Sequence, residues 1–211
     1  MTPATPQIRT AAHLLARCRE LAGDSTRRVI GVTGPPGSGK SSFVRALTEE
    51  LGARAVSLPM DGFHLSNDVL IALGRRERKG APDTFDVAGY TALLQRVRAA
   101  SDPVVYAPQF DRSREIAIAS ALPIPSAVPL VVTEGNYLLH QGQGWERVRP
   151  LLDAVWYLDV PDRELRRRLV ARRVAHGETA QEANGWVENV DLPNGRLVAL
   201  TKDRADVIVR G

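Results

Sequence analysis

The stretch Val29-Ile30-Gly31-Val32-Thr33-Gly34-Pro35-Pro36-Gly37-Ser38-Gly39-Lys40-Ser41 joins a short β-branched run to a G-x-x-x-x-G-K-[ST] sequence, and the residues from 41 onward read as a helix. A strand, a glycine-rich turn and a helix N-terminus in that order form a cradle for phosphate. Gly37 and Gly39 permit the backbone angles that turn N–H groups inward. Lys40 supplies charge against the β and γ phosphates, and the Ser41 hydroxyl can ligate Mg²⁺. Gly34, Pro35, Pro36, Gly37, Ser38, Gly39, Lys40, Ser41 and Ser42 are therefore the expected contacts of a nucleoside triphosphate.

Outward from this turn, β-branched runs alternate with helical patterns, which predicts an α/β fold with a parallel sheet and helices on both faces. The strands fall at 29–33, 54–58, 104–107, 130–133, 155–158 and 207–209. Helices are expected at 7–22, 40–51, 64–73, 87–100, 162–176, 179–190 and 193–201, the last starting at Pro193 after a break. Residues 74–86 and 108–129 fit neither period, and such segments are often binding loops. The chain of 211 residues suits one domain over 1–211.

Composition narrows the function. Hydrophobic residues make up 44% and charged residues 25%, the profile of a soluble globular chain. A net charge of +4 with only 5% aromatics argues against a nucleic-acid surface. Pro123, Pro125 and Pro129 interrupt the longest apolar stretch, so no membrane helix is expected, and the N-terminus does not read as a secretory signal. A cytoplasmic location is the expectation. Cys18 shares a helical stripe with Ile8, Ala11, Leu14, Leu15 and Leu21 and reads as a small buried hydrophobe.

Three apolar strands run into acids: Asp61, Glu134 and Asp159. Ligands of an open parallel sheet sit at the carboxyl ends of its strands, so these groups can face the phosphate loop. One can hold Mg²⁺ and one can accept the proton of an attacking hydroxyl. Asp61, followed by Gly62-Phe63-His64, suits the base or a metal ligand, with an Asx turn as the structural alternative. Glu134, in Glu134-Gly135-Asn136-Tyr137, suits the metal shell, substrate binding or a helix cap. For Asp159 turn and capping duties suffice, and His64 divides between substrate contact and cap. No His spacing suggests zinc. Neither Lys79 nor Lys202 is preceded by Asn, so the guanine-reading Asn-Lys-x-Asp of a GTPase is missing.

With these motifs goes Arg78-Lys79-Gly80-Ala81-Pro82-Asp83-Thr84-Phe85-Asp86, then Tyr106-x-Pro108-x-x-Asp111-Arg112 and an Arg-rich helix over 163–173. Together they resemble the phosphoribulokinase/uridine kinase family of P-loop kinases, and most of all its bacterial nucleoside/nucleotide kinase-like, fructose transport system kinase and pantothenate kinase-like branch. The resemblance spans about residues 29–209 and implies a three-layer P-loop NTPase fold with a helical lid, here 162–178. It implies ATP and Mg²⁺ as cofactors, Asp61 as base, Ser41 as metal ligand, and lid arginines on the transferred phosphate. Arg168 and Arg172 share one helix face at i and i+4, while Arg173 points about a quarter turn away. The acceptor loops would be 61–86 and 106–129. Their candidates are His64, Arg78, Lys79, Phe85, Asp86, Tyr106, Asp111 and Arg112, with Glu134 and Asn136; Asp86 could instead cap the next helix, and Phe85 and Tyr106 could be core.

The expectation is a Mg²⁺- and ATP-dependent kinase acting on a hydroxyl of a sugar, nucleoside or pantothenate-like molecule, as a monomer or homodimer. Catalysis falls to Asp61, Lys40, Arg168 and Arg172, and the metal to Ser41, Asp61 and Glu134. The alternative is a regulatory or transport-associated nucleotide-binding protein with little kinase activity.

Overall fold

The computed structural model describes residues 6–23 and 26–210. In chain order its elements are β1 (Gln7–Arg9), α1 (Ala11–Leu21), β2 (Arg28–Thr33), α2 (Lys40–Leu51), β3 (Ala55–Pro59), α3 (Asn67–Ala72) and α4 (Val87–Ala99). They continue as β4 (Val104–Asp111), β5 (Ile116–Pro125), β6 (Leu130–Glu134), β7 (Ala154–Asp159), α5 (Asp162–Ala175), α6 (Ala180–Trp186), α7 (Leu192–Ala199) and β8 (Val207–Arg210). Six strands form a parallel sheet in the order β1-β8-β7-β2-β6-β3, the expected α/β architecture.

The central strands are apolar on both sides because helices cover both faces. Val29, Leu58, Val131 and Val155 join one core with Tyr90, Leu94 and Trp145. Ile30, Val32, Val132 and Trp156 join the other with Leu14 and Cys18 of α1 and Val44, Leu47 and Leu51 of α2. Gly31 faces the first core, where a Cβ would stand 2.8 Å from the Leu152 side chain. Val32 and Pro59 both lie in register with Glu134, so β2, β6 and β3 end at one level.

Several expectations give way. The helix over 7–22 begins only at Ala11, because Gln7–Arg9 pair with Val207–Val209 as an edge strand, and Ile8 is exposed rather than part of the Cys18 stripe. The strand at 104–107 does not enter the parallel sheet; it extends to Asp111 and pairs antiparallel with β5. Residues 106–129 are thus largely a hairpin, not an irregular loop. Its prolines are tolerated because an isolated two-stranded ribbon leaves one side of each strand unpaired, and a bulge between Ala107 and Gln109 absorbs Pro108. The helix expected at 64–73 is confined to α3, capped by the Ser66 hydroxyl on the N–H of Val69. The break expected before Pro193 is instead a π turn over Val187–Asp191 that carries α6 into α7, with Pro193 in the first turn of α7.

Candidate active site

A cavity of about 600 Å³ opens at the carboxyl ends of β2, β3 and β6, beneath α5 and the α6–α7 junction. The phosphate loop forms its floor. Gly37 and Gly39 adopt φ values of 80° and 90°, which glycine reaches without strain. Lys40 is buried, and its Nζ donates to the carbonyls of Gly34 at 2.9 Å and Pro35 at 3.0 Å. Burial lowers its pKa to about 8, against the pull of the Glu134 and Asp61 carboxylates. With carbonyls rather than a carboxylate as hydrogen-bond partners, its charge is free to meet a phosphate.

Beside the loop, the Ser41 hydroxyl donates to Glu134 Oε1 at 2.8 Å. Asp61 follows β3 on a short 3₁₀ turn, and Arg112 from the hairpin donates to its Oδ2 at 2.5 Å. Burial pushes both carboxyls up. For Asp61 this is outweighed by His64, Arg112, Lys40 and Arg172, which hold it below the usual carboxylate range. For Glu134 burial prevails and the Asp61 charge adds to it, so its pKa is raised. Two neighbouring carboxyls pushed apart in this way can serve different roles. Among the described residues no group of three His, Cys, Asp or Glu makes a metal cage. Ser41, Glu134 and Asp61 instead suit Mg²⁺, which keeps waters and takes phosphate oxygens as further ligands.

His64 lies next to this pair. Its Nδ1 is 2.8 Å from the Asp61 carbonyl, which can only accept, so Nδ1 carries the proton and Nε2 is left as an acceptor. Its ring sits 4.0 Å from that of Phe85 and 4.7 Å from that of Phe110. Burial lowers the His64 pKa despite the opposing pull of Asp61, favouring the neutral ring. From the other side α5 presses onto the loop: a Cβ on Gly37 would stand 2.9 Å from Leu169 Cγ. Arg168 is held by Glu164 at 2.7 Å, and Arg173 pairs with Glu178 at 2.7 Å while lying over the Trp186 ring.

The cavity wall gathers Pro36, Gly37, Gly39, Lys40, Ser41 and Ser42 with Asp61, His64, Lys79, Phe85, Arg112, Glu134 and Asn136, and with Arg168, Arg172 and Arg173 from α5. Gly34 and Pro35 stand behind it as acceptors for Lys40, and Ser38 is buried within the loop. Four candidates lie elsewhere. Arg78 pairs with Asp83 at 2.7 Å; Asp86 caps α4, accepting from the Gly89 N–H at 2.8 Å. Tyr106 is exposed on the hairpin, and Asp111 fastens the hairpin turn through Ser113 at 2.9 Å and 2.6 Å. Arg78, Asp86 and Asp111 satisfy local structural needs, and none of the four lines the cavity. Asp159 ties down Lys202 at 2.6 Å and Arg210 at 3.2 Å, a structural duty.

The wall also contains Arg76, Phe110, Glu115, Glu178, Trp186, Asp191 and Asn194, which sequence reasoning missed. Phe110 and Glu115 become visible once 104–125 is read as a hairpin. Asp191 and Asn194 depend on the π turn, which no local pattern announced.

The family model described as "Methylmalonyl Co-A mutase-associated GTPase MeaB" matches residues 3–59, the phosphate-loop portion only. The Escherichia coli (strain K12) "Uncharacterized protein YggC" is 35% identical over 93% of this chain and 83% of its own length. The Schizosaccharomyces pombe protein named "Putative uridine kinase C227.14" is 29% identical over 97% of this chain and 92% of its own. The crystal structure of a "putative fructose transport system kinase" from Silicibacter sp. TM1040 superposes with a TM-score of 0.83 at 35% identity, covering 92% of this chain and 98% of that one.

Proposed function

This chain belongs to the uridine kinase/phosphoribulokinase-like P-loop kinases, and from that premise we propose that it moves the γ-phosphoryl group of ATP onto a hydroxyl of a small polar acceptor. The observation that carries this reading is Asp61, an ionised carboxylate held by Arg112 at 2.5 Å in the same cavity as Lys40 and Ser41. A module that only binds nucleotide has no need of a base there.

In the proposed reaction Asp61 accepts the proton of the acceptor hydroxyl as its oxygen attacks the γ-phosphorus and the bond to the bridging oxygen breaks. Lys40, Arg168 and Arg172 meet the negative charge that spreads over the phosphoryl oxygens. Ser41 and Glu134, with Asp61, would hold Mg²⁺, which supplies further charge neutralisation on the phosphates when bound. Neutral His64 offers Nε2 to a donor on the acceptor, and Asn136 offers an amide from the wall. The α5 lid excludes water that would otherwise take the phosphoryl group. A wall of charged, amide and aromatic groups suits a polyhydroxylated molecule, with sugars, nucleosides and pantothenate-like compounds as the classes to screen.

The test is ADP release with Mg²⁺ and ATP across sugars, nucleosides and vitamin precursors, with Asp61→Asn as blank. One acceptor with strong Asp61-dependent turnover supports the reading. If no acceptor raises the rate while ATP still binds, a regulatory nucleotide-binding role replaces it.

A further inference from the structure

Between α3 and α4 the chain carries Arg75, Arg76, Arg78 and Lys79, and three of these are tied. Arg75 donates to the Asp83 carbonyl at 3.0 Å and faces its carboxylate at 3.4 Å; Arg78 pairs with the same carboxylate at 2.7 Å. Lys79, only 7% exposed, donates to Asn67 Oδ1 and to the Glu115 carbonyl, each at 2.8 Å, and pairs with the Glu115 carboxylate at 3.2 Å. Arg76 is half-buried and lines the cavity, and its guanidinium has no hydrogen-bond or ion-pair partner among the described residues.

The segment that presents Arg76 is anchored. Tyr137 OH donates to the Gly80 carbonyl at 2.5 Å, and Gly80 N–H donates to Thr84 Oγ1 at 2.9 Å. The same segment holds Lys79 Nζ 5.1 Å from the Phe110 ring, whose other neighbour is His64, so the turn that carries Arg76 borders the acceptor end of the cavity. Asp61 meets Arg112 and Glu115 meets Lys79, whereas Arg76 has no such partner. A guanidinium drawn partly out of water with no anion is unfavourable, and its planar fork fits a carboxylate or phosphate through two hydrogen bonds.

Resting on the kinase reading above, we propose that the acceptor is itself an anion, and that Arg76 grips its carboxylate or phosphate group while its hydroxyl faces Asp61. A neutral polyol or nucleoside would leave Arg76 unpartnered on binding. The product of such a reaction carries two anionic groups, one held by Arg76 and one newly formed beside Lys40.

The experiment compares matched acceptors with Mg²⁺ and ATP: D-glycerate against glycerol, pantothenate against pantothenol, and ribose 5-phosphate against ribose. The first two pairs probe a carboxylate and the third a phosphate. The expected result is kcat/KM at least about tenfold higher for one anionic member than for its neutral partner. Arg76→Gln should raise KM for that anion by about ten- to a hundredfold with kcat much less affected, and Arg76→Lys should recover part of the loss. Equal or better turnover of the neutral members, or an unchanged anion KM in Arg76→Gln, overturns the proposal. If nothing is turned over, the kinase reading fails separately, and calorimetric titration of the same three anions into protein loaded with a non-hydrolysable ATP analogue decides: binding weakened by Arg76→Gln supports the Arg76 site, and binding that is absent or unaffected by the substitution refutes it.

Discussion

Asp61 owes its chemistry to company gathered from three parts of the chain: Arg112 on the hairpin, His64 on the following turn and Lys40 in the phosphate loop. Replacing its carboxylate by an amide keeps the shape and removes the proton acceptor. Asp61→Asn should therefore lower kcat by about 10²–10⁴-fold while the ATP dissociation constant, read by calorimetry, stays within a few-fold. A variant that keeps its turnover would exclude Asp61 as the base. Cys18 offers a prediction of another kind. Burial in the α1–α2 core pushes its thiol up to about 12 from an ordinary value near 9, with Arg17 pulling weakly the other way. Because the folded value lies above the unfolded one, the neutral thiol's stabilisation is complete below about pH 9 and is lost as pH climbs toward 12, by about 1.4 kcal/mol per pH unit at its steepest. In urea titrations from pH 8 to 10.5 that slope should appear as the difference between the protein and Cys18→Ala, since Lys40, lowered to about 8, pulls stability the other way in both. A thiol reagent at pH 8 should label Cys18 only after unfolding.

At the scale of elements, the hairpin β4–β5 brings Arg112, Phe110 and Glu115 to the cavity, and its seat against the end of β3 is tight. A Cβ on Gly62 would lie 2.3 Å from the Pro108 carbonyl oxygen, a backbone atom that cannot step aside without moving the hairpin. Gly62→Ala should destabilise the protein by about 1–3 kcal/mol in urea denaturation and should raise the acceptor KM through displacement of Arg112. An unchanged midpoint would mean that the contact is slack. This hairpin was also the element least visible in the sequence. Pro108, Pro123 and Pro125 read as loop punctuation, yet in a two-stranded ribbon half the N–H groups need no partner. By contrast α4 was legible within a residue, since its apolar spacing and the Asp86 cap are both local signals.

Over the whole molecule, nucleotide binding should couple the sheet, the phosphate loop and α5. ATP with Mg²⁺ at a hundred times its dissociation constant should stabilise the fold by about 2.7 kcal/mol, a rise of roughly 5–10 °C in Tm for a chain of this size. Asp61→Asn should show most of this rise, because Lys40, Ser41 and Glu134 remain to meet the phosphates and the metal; no rise in either protein would contradict nucleotide binding itself.

The amino-acid sequence by itself determined the phosphate loop, the strands on both sides of it and the acids at their ends. These depend on consecutive residues: glycines that permit positive φ, a helix start beside them, and apolar runs of strand length. What the tertiary structure decided is the acceptor end of the cavity. Arg76, Phe110, Glu115 and Asp191 come from three separated segments, and only the sheet order, the hairpin pairing and the π turn make them neighbours. The same folding assigned Arg78, Asp86 and Asp111 to local ties. A charged side chain serves a site only when nearer partners leave it free, and which partners are nearer is settled by packing between distant segments.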